Sequence, residues 1–208
     1  IKKDLFAHHF QNRMIGLFLG DTDFSEVVLN KIVKLKKRYF IIDFSKNNKF
    51  KEYKNSHKIS IGKFGEIIKL IKKKNSKKVL FAGKITKPKF SSLRLDLKGI
   101  YYMPSIIKAA KIGDAAIIKE IIKILANEGI EVISSISFNP ELSLKKGNFS
   151  KFKPSKEDIL SIKNAEKYFD TVDNLDHIQA LVIKNGNIIA KEGVEGTKKM
   201  LSKLKLNQ

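Results

Sequence analysis

Apolar positions along the chain fall into short blocks that alternate between two rhythms. Met14–Leu19 is a continuous apolar run stopped by Gly20, which reads as a buried strand. Phe24–Lys36 carries Val27, Val28, Ile32 and Leu35, a helical stripe. Tyr39–Asp43 reads as a second strand, and 45–57 is a polar loop. Phe64–Lys74 places Phe64, Ile67, Ile68 and Ile71 on one helical face, and Val79–Ala82, closed by Gly83, is a third strand. This β-α-β-α-β order predicts a parallel sheet with right-handed crossovers.

A stretch without periodicity follows, from Lys84 to Gly99. Pro104–Lys111 then predicts a short helix and Asp114–Asn127 a stronger one, stopped by Gly129. Ile130–Ser134 returns as a strand. Residues 139–154 contain Pro and Gly, lack periodicity, and read as a linker. Beyond them Ser155 and Asp158 stand in capping-box spacing at the head of a helix. Ile178–Lys184 and Asn187–Lys191 predict a hairpin through Asn185-Gly186. Thr197 is the expected cap of a last helix. The expected organisation is an α/β chain: a parallel-sheet N-terminal domain over 1–138, the linker 139–154, and an incomplete smaller α/β C-terminal domain over 155–208. A single hairpin between two helices supplies few strands for an independent domain.

Composition narrows the function. The 208 residues contain no cysteine, which removes disulfides, thiolate metal sites and cysteine nucleophiles together. No apolar run has the length of a bilayer span and no signal-peptide pattern is present, so a cytoplasmic location is expected. The net charge is +21, but arginine occurs only at positions 13, 38 and 94. A nucleic-acid reader relies on the arginine fork for phosphates and base edges. The lysine excess therefore fits compositional drift first and attraction to an anionic lipid surface second. No specific nucleic-acid partner is expected.

Four turns carry candidate chemistry. Gly20-Asp21-Thr22-Asp23 lies where a strand feeds a helix, the usual place for a phosphate in an α/β sheet. It lacks the further glycines of a dinucleotide fingerprint, and Asp23 serves equally as an N-cap. Gly83-Lys84 closes the third strand on the same sheet edge, where the lysine could neutralise a phosphate. Arg94 and Asp96 follow and are placed to pair. Asp114 follows Gly113 at a helix head, where a carboxylate suits the helix dipole. Glu195-Gly196-Thr197 is a third such helix start, with a hydroxyl able to hold a phosphate oxygen and an acid able to take a metal or a sugar hydroxyl. His8, His9, Asp173, Asp176 and His177 read as solvated polar positions. The apolar segment Ile100–Ala110 reads as a buried helix or as the wall of an acyl-chain groove.

In order, the blocks GLFLGDTDFSEVV, VLFAGKITKPKFSSLRLDLKG, Gly113-Asp114 and DHIQALVIKNGNIIAKEGVEGTKKML resemble the UDP-2,3-diacylglucosamine pyrophosphatase family of lipid A biosynthesis, the type without a metallophosphoesterase signature. The resemblance runs from about Met14 to Leu204. It implies a Rossmann-like N-terminal domain, a distinct C-terminal α/β domain, Mg²⁺, and hydrolysis of UDP-2,3-diacylglucosamine to lipid X and UMP, with transient contact at the inner-membrane surface. By position it implies substrate contacts at Gly20, Asp21, Gly83, Lys84, Asp114, Gln179, Glu195, Gly196 and Thr197, with Asp23 and Asp176 matching further motif acids. Asp21 and Thr22 stand where the family has glycines, and Lys198 where it commonly has aspartate. The family's Gln-Asp-x-Arg-x-Asp-x-Pro segment, with its essential aspartate, does not occur before Gln208. The resemblance therefore implies a truncated chain that binds substrate but does not turn it over. A nucleotide-binding module without hydrolysis is the competing expectation.

Overall fold

A computed structural model describes residues 14–86, 89–144, 147, 149–172, 178–193 and 195–204. The chain divides into two compact units. The first takes the chain to Ile107 together with Glu120–Leu144, and the second takes Lys108–Lys119 together with the chain from Lys145.

The first unit is built on five parallel strands: β1 (Ile15–Leu19), β2 (Tyr39–Asp43), β3 (Ser56–Lys58), β4 (Lys78–Ala82) and β5 (Glu131–Ile133), in spatial order β3-β2-β1-β4-β5. The central strand β1 is buried along its whole length, as a parallel strand covered on both faces must be. Helix α1 (Asp23–Lys34) covers it with Val28, Leu29 and Ile32, and α2 (Phe64–Lys73) buries Phe64, Ile67, Ile68 and Ile71. In α1, Asp23 and Glu26 lie in the first turn and Lys31 and Lys34 in the last, the polarity the helix dipole favours. The chain leaves β1 toward β2 on one side and returns through β4 on the other, so the order reverses between β1 and β4. This is a Rossmann-like sheet.

Three expectations change here. The polar stretch 45–57 ends in β3, whose sequence SHK has no apolar rhythm because it is an edge strand paired on one side only. Phe50, inside that stretch, is fully buried. The segment 84–99 is not structureless: a 3₁₀ turn forms at Phe90–Ser92, and helix α3 runs from Leu97 to Ile112 with Pro104 inside it. Asp96 starts this helix by accepting the Gly99 N–H at 2.8 Å while its carbonyl accepts the Ile100 N–H. That start, together with the buried face Met103, Ile106 and Ala109, outweighs the interior proline. Helix α4 (Asp114–Asn127) leads to β5 through Gly129 at φ +76°.

The second unit holds helix α5 (Lys156–Thr171), the antiparallel hairpin β6 (Leu181–Lys184) and β7 (Asn187–Lys191), and helix α6 (Thr197–Lys203). The capping box forms in both directions: Ser155 Oγ accepts the Asp158 N–H at 3.1 Å, and Asp158 accepts the Ser155 N–H at 2.8 Å. Asn185 and Gly186 take φ +52° and +78°, the positive pair of a type I′ turn.

Candidate functional site

In the first unit the exits of β1 and β4 meet at the carboxyl edge of the sheet. The Gly20 N–H donates to the Ala82 carbonyl and the Asp21 N–H to the Lys84 carbonyl, each at 2.9 Å, so the two exits stay bonded to each other as they leave the sheet. Ser25, buried in the first turn of α1, lies 3.0 Å from the Gly20 carbonyl and 2.9 Å from that of Ala82, and its hydroxyl proton is shared between them. The two glycines are required by this junction itself. A Cβ at Gly20 would run into the Lys84 carbonyl, and one at Gly83 into the Ser25 hydroxyl, at φ +84° besides. Neighbouring groups thus occupy the space that a side chain would take at both positions.

The polar groups at this edge are arranged around the junction. Asp21 Oδ1 accepts the Lys46 N–H at 2.8 Å. Lys49 pairs with Glu26 at 2.9 Å and lies 3.9 Å from Asp23, and the Glu26 hydrogen bond foremost raises the lysine's pKa. Thr22, not Asp23, occupies the N-cap position of α1, with no side-chain cap bond, and Asp23 is the first helical residue. Lys84 is exposed beside the junction. Asp43, at the end of β2, is fully buried and went unnoticed in the sequence. Its carboxylate accepts the Ser45 N–H at 2.7 Å and the Phe50 N–H at 3.3 Å, and so shapes the loop that brings Lys46 and Lys49 round. An acid directly after three apolar residues at a strand end was the available signal. Asp96 is also a backbone anchor. Burial pushes its pKa up, but N–H donors from Gly99, Glu66 and Gly65 bring it below the usual range. Its carboxylate is thus engaged by backbone, where Arg94 was the expected partner.

In the second unit Gln179 precedes β6, and its N–H donates to Glu192 at 2.8 Å. Gly196, at φ +83°, is the N-cap residue of α6, correcting the expectation of a Thr197 cap. The Thr197 hydroxyl donates to Glu192 at 2.7 Å, so its one proton is directed at a carboxylate and not at a phosphate. Glu195 pairs with Lys203 at 2.6 Å. Asp114 is the first residue of α4, directly after Gly113, whose carbonyl accepts the Ile117 N–H. Asp176 and His177 lie outside the described residues, as do Asp173, His8 and His9. The structure therefore joins Gly20, Asp21, Gly83 and Lys84 in one unit, and Gln179 and Thr197 around one carboxylate in the other. Glu192, like Asp43, went unnoticed in the sequence. Among the described residues, no group of three or more His, Asp or Glu side chains could hold a metal ion. No helix among them is long and apolar enough to cross a membrane.

A five-stranded parallel sheet whose order reverses between β1 and β4, with two glycine exits paired there, defines a protein of the Rossmann-like α/β class. The family comparisons agree in both units. The LpxI N-terminal domain matches residues 14–142 and the LpxI C-terminal domain residues 145–208, and the chain belongs to the LpxI family. It is similar to the UDP-2,3-diacylglucosamine pyrophosphatase LpxI of Caulobacter vibrioides, at 32% identity over 146 residues, 70% of this chain and 52% of that protein. The chain thus aligns with about half the length of that curated relative.

Proposed function

We propose that this chain binds UDP-2,3-diacylglucosamine and belongs to an enzyme that hydrolyses its diphosphate to lipid X and UMP. The observation that carries this reading is the pairing of the Gly20 and Gly83 exits between β1 and β4, where an open parallel sheet takes nucleotide ligands. Lys84 supplies a cation for the diphosphate, and Asp21 is a carboxylate at the same edge. Gln179, Glu195, Gly196, Thr197 and Asp114 are the further contacts implied by family. A protein cage for Mg²⁺ does not fit the described residues. Mg²⁺ often sits between one or two carboxylates and substrate phosphates, so the ion is proposed to arrive with the diphosphate.

The acyl chains need apolar surface. Leu97, Ile100 and Tyr101, at positions i, i+3 and i+4 of α3, are 86%, 59% and 77% exposed. They support contact with acyl chains and with the cytoplasmic surface of the inner membrane.

Calorimetric titration tests the reading. The chain should take up UDP-2,3-diacylglucosamine more tightly than UMP, and Lys84→Ala should weaken the former about tenfold, the order of one charge-assisted hydrogen bond. Uptake of UMP with no gain from the diacylglucosamine half would favour the nucleotide-binding module. Uptake of neither would end the proposal.

A further inference from the structure

Gln179 and Thr197 lie on opposite flanks of the β6–β7 hairpin, and a single buried side chain bonds to both. Glu192, directly after β7, is 9% exposed. Its Oε2 accepts the Gln179 N–H at 2.8 Å and its Oε1 the Thr197 hydroxyl at 2.7 Å. Its own N–H donates to the Ala180 carbonyl at 2.9 Å, which holds its backbone beside the segment leading into β6. The Thr197 hydroxyl bond first, and the Gln179 N–H bond next, keep its carboxyl below the usual range in spite of burial. An ionised carboxylate only accepts hydrogen bonds, so Thr197 must donate and keeps its lone pairs for another group.

The hairpin does not need this acid to hold α5. Asn164 Nδ2 donates to the Gly186 carbonyl at 3.0 Å, and the Gly186 N–H donates to Ser161 Oγ at 3.3 Å. We infer that Glu192 is a positioning residue: it fixes Gln179 and the turn Glu195-Gly196-Thr197 in one arrangement and presents the Thr197 hydroxyl to the ligand as an acceptor for an N–H or O–H of the nucleotide sugar. This rests on the proposal that these residues contact UDP-2,3-diacylglucosamine.

The test has a ligand-free arm and a binding arm, both on the full chain. In Glu192→Ala both acceptor oxygens are lost, so amide hydrogen exchange at Gln179 should rise about tenfold or more, while exchange at Val182 and Ile188 stays put. In titrations with UDP-2,3-diacylglucosamine, Glu192→Gln and Thr197→Val should each weaken binding about tenfold. The double variant should lose about tenfold in total, not a hundredfold, because the two groups act as one unit. Thr197→Ser keeps the hydroxyl and should bind like the parent chain. An unchanged Gln179 exchange rate, or a hundredfold additive loss in the double variant, would overturn the role of Glu192 while leaving the functional reading intact. A parent chain that takes up no ligand fails the functional reading on its own titration. If its Gln179 amide still responds, Glu192 is then a fold residue and the positioning role fails as well.

Discussion

The two units place their candidate residues by opposite means. In the first, Gly20 and Gly83 are held by the sheet itself: β1 and β4 are paired in register, and two further backbone bonds join their exits. In the second, the hairpin has no fully buried side chain, and Gln179 and Thr197 are placed by polar bonds to Glu192. Apolar packing resists change in volume, whereas a polar anchor resists change in charge. The comparison therefore predicts that the first site fails by steric substitution and the second by isosteric loss of a carboxylate.

The largest effect should come from Gly20→Ala or Gly83→Ala. Each Cβ collides with a fixed group, and Gly83 adds a positive φ, so a loss of about 3 kcal/mol or more is expected in urea unfolding. A loss under 1 kcal/mol would show that the junction yields and would undo the contrast. Next is Glu128, which stands just after α4, 11% exposed at its side chain. It pairs with Lys72 at 2.7 Å, with Lys98, and with the Tyr102 hydroxyl at 3.1 Å. The Lys72 bond first, then that from Lys98, pulls its pKa from 4.5 to about 2. Because the folded value is the lower one, its stabilisation is present above pH 4.5 and is lost as pH falls from there toward 2. Glu128→Ala should lower stability at neutral pH by about 2 kcal/mol, since both lysines remain partly hydrated. The difference from the parent chain should shrink in acid.

Ser155→Ala removes half of the capping box and should weaken α5 by about 1 kcal/mol, measured as lost helicity on heating. Gly129→Ala is the smallest. It shares a positive φ with Gly83, but nothing lies within 4 Å of its Cβ, so only the backbone term of about 1 kcal/mol applies. Equal effects at Gly83 and Gly129 would mean that φ, not the Ser25 hydroxyl, decides.

Where periodicity and packing coincide, the sequence is easily read. The stripe Phe64, Ile67, Ile68 and Ile71 announces α2, and the run from Ile15 to Leu19 announces a strand covered on both faces. Asn185-Gly186 and Ser155-Asp158 declare their turn and cap because those geometries demand those residue types. β3 was hidden because an edge strand of three residues has no pattern to show. The start of α3 was hidden because its signal is a single acid, Asp96, whose capping partner is a backbone N–H, and Pro104 argued the other way. The steric need for Gly20 and Gly83 was hidden, because it arises between segments some sixty positions apart, which no local window contains. Glu192 was missed on the same ground, since its two partners sit on either side of it and neither forms a motif with it.

The backbone bonds joining Gly20 and Asp21 to Ala82 and Lys84 bear on how the chain can diverge. Deleting one residue on either side would slide one exit past the other and drive a side chain into a carbonyl. Insertions and deletions in these two loops should therefore arise only as matched pairs.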